Sequence, residues 1–499
     1  MTTQNLQPSI EPESPFGSAP AGTLSLLDSI IENSKAASNA TEKARTRDLI
    51  GALAEQVLSG TVVVKRDLAT SLDARVAELD QLISDQLNAI LHHPEFQRLE
   101  ATWRGLRYLI GQSDTSPMLK IKILNASKSD LLKDIKTSSD YDQSALFKKV
   151  YEEEYGTFGG APYAALIGDY EFSRHSDDLY LLEELSHVAA SAHAPFVAAA
   201  HSGMFGLETF ADIGKPRHLA KIFDTTEYAK WKSFRESEDA RYVGLVLPHM
   251  LGRLPYGPET SPVEDFNFIE DVDGSDSSKY LWMNASYAYG ARLTSAFANF
   301  GWLAAIRGVE GGGLVEGLPT HTFKTDDGEI ALKCPTEVAV TDRNEKLLGD
   351  LGFISLVHCK NTDYAAFFSG QSAQKAKIYN TDAANANARL STQLPYIFAV
   401  SRIAHYMKAI MRDKIGSFAS RSNVENFLNT WLAQYVLLDD SASQEAKSKY
   451  PLREAYVEVV DMPGKPGFYR AAAFLRPHFQ LDELTVSLRL VAELPKSSR

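Results

Sequence analysis

Residues 308–314 (GVEGGGL) hold the composition that most invites chemistry. A glycine-rich loop can cradle a phosphate on its backbone amides, but a phosphate-binding loop needs Gly-Lys-Ser or Gly-Lys-Thr opening a helix. Here Leu314 and Val315 follow the glycines, and Glu310 and Glu316 would repel an anion. The pattern predicts a tight structural loop. His201-Ser202-Gly203 sets a histidine beside a hydroxyl, without the Gly-x-Ser-x-Gly elbow that exposes a serine nucleophile. His92 and His93 are adjacent, which points their rings apart on a helix, and neither Glu-x-x-His nor Cys-x-x-Cys lies near them. Asp169, Glu171, Asp177 and Asp178 supply carboxylates without the spacing or the glycine of an EF-hand, so a solvated loop is the better reading. Cys334 and Cys359 are the only cysteines, and Cys334-Pro335 and His358-Cys359 form no redox motif. That rules out a disulfide framework and a cysteine-rich zinc site. Arg241, Arg253, Arg307 and Arg412 read as structural ion pairs or contacts between subunits. No residue is assigned to catalysis, to a cofactor or to a metal. A hydrolytic or nucleotide-dependent enzyme with an unrecognised site is the alternative reading.

The bulk composition is that of an ordinary globular protein. A chain of 499 residues suggests two to four domains with room for a large core. Its 44% hydrophobic and 23% charged residues are ordinary for a globular protein. A net charge of -13 argues against a broad nucleic-acid surface. The N-terminus does not read as a signal peptide, and no apolar run approaches the roughly 20 residues that span a bilayer. A cytoplasmic chain without membrane insertion is expected.

Residues 1–22 are rich in Pro, Ser, Gly, Gln and Glu and read as a disordered tail. Next, Leu24, Leu27 and Ile31 share one helical face, with Leu26 and Ile30 beside it, and a small polar linker follows. This short apolar helix either folds back on the body or docks in a partner's groove. A second helical pattern covers about 43–58. Thr61, Val62, Val63, Val64 and Lys65 read as a short strand, and a long helix follows from about 68 to 91. Pro94 suits a first helical position, Glu100 and Arg104 can pair four apart, and Phe96, Leu99, Trp103, Leu106 and Ile110 form one apolar stripe. From periodicity alone this is an amphipathic core helix. The middle mixes helices with β-rich runs such as 242–247. Helices return over 383–415, broken at Pro395, and over 423–437. Strands close the chain: Val457 and Val459 alternate with Tyr456 and Glu458, and Leu484, Val486, Leu488 and Leu490 alternate with polar residues. Such strands either close a sheet within the subunit or leave edges for other chains.

The strings themselves carry more than their periodicity. Residues 93–110 (HPEFQRLEATWRGLRYLI) closely resemble the signature of the large sheath subunit of bacterial type VI secretion systems, the TssC or VipB family, also called ImpC or EvpB. Seven further strings resemble it in order: 165–172 (ALIGDYEF), 237–245 (SEDARYVGL), 306–313 (IRGVEGGG), 332–337 (LKCPTE), 358–364 (HCKNTDY), 411–418 (MRDKIGSF) and 476–481 (RPHFQL). The strings run from residue 93 to 481, and in order and spacing the resemblance covers about residues 60 to 495.

The resemblance implies a structural, non-enzymatic subunit of mixed α and β fold (α+β), similar to contractile phage-tail sheaths. A flexible N-terminal tail would occupy 1–60, a main sheath domain 61–375 and a C-terminal sheath domain 376–499. It would copolymerise with a small sheath subunit (TssB/VipA-like) around an inner tube (Hcp-like), on an envelope-anchored baseplate, and contract to propel tube and spike into target cells. Leu24, Leu27, Ile30 and Ile31 would be bound by the ring-shaped ATPase (ClpV-like) that disassembles contracted sheaths. Val62, Val63, Val64, Val457, Val459, Val486, Leu488 and Leu490 would belong to strands that link neighbouring subunits. The resemblance implies no cofactor.

Overall fold

The computed structural model describes residues 40–59, 68–214, 219–264, 266–325, 327–415, 420–461, 469–478 and 480. The chain divides into two compact units, residues 1–86 and 87–499. In the first, helix α1 spans Ala40–Leu58 and helix α2, Leu68–Leu91, begins. The second opens with α3, Pro94–Gly111, where proline takes the first helical position and His93 Nδ1 accepts the Glu95 N–H at 3.4 Å. The fixed φ of proline and its missing N–H suit that place.

The second unit is built on a sheet of six strands: β1 Leu166–Phe172, β2 Phe196–Ala200, β3 Val243–Leu247, β4 Leu314–Val315, β5 Ile354–His358 and β6 Ala365–Phe367. Their order is β1-β2-β3-β5-β6-β4. The pairs β1–β2, β2–β3 and β3–β5 are parallel, and β5–β6 and β6–β4 are antiparallel. Period two divides the side chains between the faces. Phe196, Ala198, Val243, Leu245 and Leu247 enter one core with α5, Ser176–Ala192, while Val197, Ala199 and Val246 enter the other with α6, Ser286–Phe300. Between them β2 and β3 are buried at every residue, so their near-continuous apolar sequence is that of strands covered on both sides. The short helix α4, Lys128–Thr137, starts at a capping box made by Ser127 and Asp130.

Helix α7, Leu394–Asp413, joins two cores. Leu394 and Phe398 pack under the sheet, whereas Ile403 and Met407 belong to a C-terminal cluster. Pro395 lies in its first turn, which is why the long helical pattern breaks there. The cluster is closed by α8, Arg421–Ala433, and a hairpin of β7, Leu452–Asp461, with β8, Tyr469–Pro477.

The apolar stripe of α3 is only partly in the core: Phe96 and Leu106 are half-buried, and Leu106 packs against the cluster under the sheet. Leu99, Trp103 and Ile110 are 56%, 64% and 46% exposed, while Gly105 and Leu109 are buried. The helix docks through its small face: Thr102 Oγ1 donates to Asp169 at 2.6 Å, and a side chain at Gly105 would come within 2.3 Å of the Tyr287 ring. Close approach decided the orientation, and Leu99, Trp103 and Ile110 were left outward.

Candidate functional site

Each cluster that invited chemistry is already occupied. Val309–Gly313 is one tight turn, held by Gly308 N–H to Phe367 O (2.7 Å) and Gly313 N–H to Gly308 O (2.8 Å). A Cβ on Gly313 would stand 2.6 Å from Phe367 O, and Gly312 has φ 91°. The glycines serve backbone approach. Ser202 Oγ donates to Glu208 O at 2.8 Å, and His201 Nδ1 accepts the Gly203 N–H at 2.9 Å. The hydroxyl proton is therefore turned away from the imidazole. His92 meets Glu270 at 3.3 Å, while His93 caps α3.

The carboxylates disperse in the same way. Asp177 pairs with Lys136 at 2.9 Å, and Asp178 with Lys128 at 2.6 Å. Glu171 and Glu337 clamp His249 at 2.9 and 2.6 Å, at the C-terminal ends of β1 and β3 where open α/β sheets often bind ligands. Burial alone would depress the His249 imidazole, but its two carboxylate hydrogen bonds outweigh that and hold it up to about 10. The crevice position thus holds an internal ion triad. Cys334 Sγ lies 3.1 Å from Thr336 Oγ1, and Cys359 Sγ donates to Tyr364 Oη at 3.5 Å. Both cysteines are free. Among the described residues no group of three His, Cys, Asp or Glu could hold a metal, and no helix is long and apolar enough to cross a membrane.

The arginines are structural. Arg253 grips Glu270 through Nη1 (2.6 Å) and Nη2 (3.0 Å) and reaches Glu100 through Nε at 2.8 Å. Arg241 meets Glu238 at 3.8 Å, Arg307 donates to Phe368 O and Gln393, and Arg412 donates to Tyr155 O and Thr157 O.

Of the residues expected to bind partners, Leu24, Leu27, Ile30, Ile31, Val62, Val63, Val64, Val486, Leu488 and Leu490 lie outside the described residues. Val457 and Val459 stand on β7, 3% and 1% exposed, packed with Ile403, Leu428 and Leu432. The outer backbone of β7 is met by α8 at these positions. Asn429 accepts the Val457 N–H (2.8 Å) and donates to Val457 O (2.9 Å), and Glu425 accepts the Val459 N–H at 3.0 Å. The two valines are core residues of the chain's own hairpin. What the hairpin presents outward is the stacked pair Tyr456 and Phe474, with ring centroids 4.5 Å apart, and the far edge of β8, which has no strand neighbour among the described residues.

A second surface was missed by sequence reasoning. Beside α3 runs a groove of about 1870 Å³ with Leu99, Trp103, Met118, Ile123 and Leu124 on its walls. Every one of these five is at least half exposed. Large contiguous apolar surface of this kind marks association. The signal was present in the stripe itself, whose bulky members could not be told from core by periodicity.

Two surfaces thus expose apolar side chains, the hairpin's Tyr456 and Phe474 and the groove beside α3. The model of the EvpB/VC_A0108 tail sheath N-terminal domain matches residues 73–374, and that of the EvpB/VC_A0108 tail sheath gpW/gp25-like domain matches 383–494. The chain belongs to this sheath family. It is 48% identical over 462 residues to the type VI secretion system sheath protein TssC1 of Pseudomonas aeruginosa, covering 92% of this chain and 93% of that protein. Among solved structures it is similar to a chain of the anti-feeding prophage baseplate (TM-score 0.40, 8% identity, 75% of this chain and 83% of that one). It is also similar to a chain of the contracted PVC sheath of an extracellular contractile injection system (TM-score 0.33, 8% identity, 62% and 68%). At that overlap neither likeness bears on function.

Proposed function

We propose that this chain is the large subunit of the contractile sheath of a type VI secretion system. The observation that carries the reading is 48% identity to TssC1 across nearly the whole of both chains. The function is structural: the chain copolymerises with a small sheath subunit into a helical sheath around an inner tube. Contraction of that lattice propels the tube and its spike into a target cell. The energy resides in the metastable extended lattice, since an assembly with two packings can store strain at the moment it forms.

The finer partners follow from the same reading. The inner tube, the baseplate and the disassembly ATPase meet the polymer in the cytoplasm. The helix around Leu24, Leu27, Ile30 and Ile31 is the ATPase's recognition element. Strands around Val62, Val63 and Val64 and around Val486, Leu488 and Leu490 link subunits, and they join the hairpin of Val457 and Val459 at the open edge of β8. Each added ladder hydrogen bond contributes about 1 kcal/mol net, repeated at every subunit. A sheet of this kind lets subunits rotate and close up without parting. Removal of the gene from its host is the test. Loss of sheaths and of inner-tube export, both restored by the intact gene, supports the reading. Normal export without the chain overturns it.

A further inference from the structure

Helix α7 is held to the sheet domain in two different ways. Leu394 and Phe398 anchor its first half in the apolar core under the sheet, while Ile403 and Met407 belong to the C-terminal cluster. From Arg402 onward the ties back to the sheet domain are polar or aromatic. Arg402 Nη1 donates to Pro162 O at 3.4 Å, and Arg412 donates to Tyr155 O (3.1 Å) and Thr157 O (2.8 Å). The Lys408 ammonium stands 3.4 Å from the centre of the Tyr155 ring. In their midst His405 is 4% exposed, its ring 5.1 Å from Tyr155 and 6.2 Å from His193 at the end of α5.

Both nitrogens of the His405 ring are committed. Nε2 donates to Ala192 O at 2.8 Å, so the proton sits there, and Nδ1 accepts from Arg402 Nη1 at 3.4 Å. This pattern admits only a neutral imidazole, because a proton on Nδ1 would set one N–H against another. Nothing around the ring offsets a charge. The charges that bear on it are Arg402 and Lys408 from its own helix and, once protonated, His193 from α5. Lys408 in turn faces Arg412. Tyr155, from the turn at Lys148–Tyr155, and Tyr242, which meets His193 Nδ1 at 3.2 Å, bring neutral phenols. Asp239, in the same turn as Tyr242, is paired with His187 at 2.8 Å.

We propose that this joint is a proton-sensitive latch between the two sheath domains: neutral His405 keeps the second half of α7 docked, and a proton taken up at Nδ1 releases it. The proton displaces the Arg402 guanidinium and adds a further cation to a row that already holds Arg402, Lys408 and Arg412. Leu394 and Phe398 stay seated under the sheet and form the pivot, and the hairpin and α8 travel with the released half through Ile403 and Met407. A free histidine titrates near 6.5 and the docked one at about 4, so docking is at full strength above 6.5 and weakens as pH falls. At pH 5 the ratio of docked to released chains is lower than at pH 7.5 by roughly 30-fold.

The test reads burial at Ser401, 2% exposed and one turn before His405. The full chain carries Ser401→Cys together with Cys334→Ser and Cys359→Ser. Its thiol is labelled with 4,4′-dithiodipyridine between pH 7.5 and 5, and each rate is divided by that of free cysteine at the same pH. The normalised rate should rise roughly 30-fold as pH falls. His405→Gln, whose amide still donates to Ala192 O but takes up no proton, should abolish the rise. A rise below about threefold in the parent overturns the proposal, and so does an equal rise in the His405→Gln variant. Ser355→Cys, at a 0% exposed position on β5, reports opening of the sheet itself. Its labelling should stay flat, and a parallel rise there overturns the latch, because the whole chain would then be unfolding. A second measurement uses the unaltered chain. A released half-helix of this length frays, so amide exchange over 402–413, corrected for the intrinsic rate at each pH, should lose about tenfold or more of its protection by pH 5. Unchanged protection also overturns the proposal.

Discussion

Trp103→Ala separates a surface built for a partner from one built for the core. Trp103 is 64% exposed in the lone chain, whereas Leu109, on the same helix, is 7% exposed. A tryptophan buries up to about 250 Å², so roughly 160 Å² remains for a partner to cover, and at ~25 cal/mol per Å² that is at most about 4 kcal/mol of association. Because association costs ordering as well, about two orders of magnitude in affinity, or some 3 kcal/mol, is the expected loss. The fold of the chain should change by no more than about 0.5 kcal/mol, as for other exposed positions. Leu109→Ala should do the reverse to stability, costing about 2–5 kcal/mol through the cavity it leaves. The assay pairs chemical denaturation of each variant with copurification of the small subunit over a concentration series. The reasoning fails if Trp103→Ala destabilises the chain as much as Leu109→Ala does. It fails equally if Trp103→Ala binds the partner at unaltered affinity.

Three other substitutions probe the scaffold. Glu270→Ala removes the bidentate partner of Arg253, a pair 1% and 8% exposed in its side chains, and leaves the guanidinium only the Glu100 carboxylate; the loss should cost about 3 kcal/mol, read as a lowered denaturation midpoint. Asn429→Ala strips two hydrogen bonds from Val457, so the Val457 amide should exchange faster and the hairpin lose about 1–3 kcal/mol. His405 is buried in α7, where burial depresses its imidazole to about 4 despite a 2.8 Å hydrogen bond to Ala192 O. The folded form therefore binds its proton later than the unfolded chain, whose histidine titrates near 6.5. Stability from this group is intact above that value and is lost as pH falls toward 4, by roughly 3 kcal/mol in all. His405→Gln should flatten the stability profile between pH 6.5 and 4, and an unchanged slope would point to other groups.

Local signals in the chain were easy to read. Pro94 starts α3, Pro395 sits in the first turn of α7, and α2 runs over the residues its periodicity marks. The glycines of 308–313 were legible as structural because no lysine or hydroxyl follows them. Orientation was the part that could not be read. A helical stripe records which residues are apolar, not which neighbour reaches them first. In α3 the deciding contacts are Gly105 against Tyr287 and Thr102 against Asp169, between residues far apart in sequence. Likewise, alternation at Val457 and Val459 marks a strand with one apolar face. Only the side chains of Asn429 and Glu425, arriving from α8, show that its outer backbone is already met.

The central claim is that this chain is a lattice subunit, and electron microscopy of the chain expressed alone and together with the neighbouring small-subunit gene tests it most directly. Hollow tubules with a cogwheel cross-section, present only in the co-expressed sample, are the predicted result. A monodisperse soluble particle in both samples would contradict it.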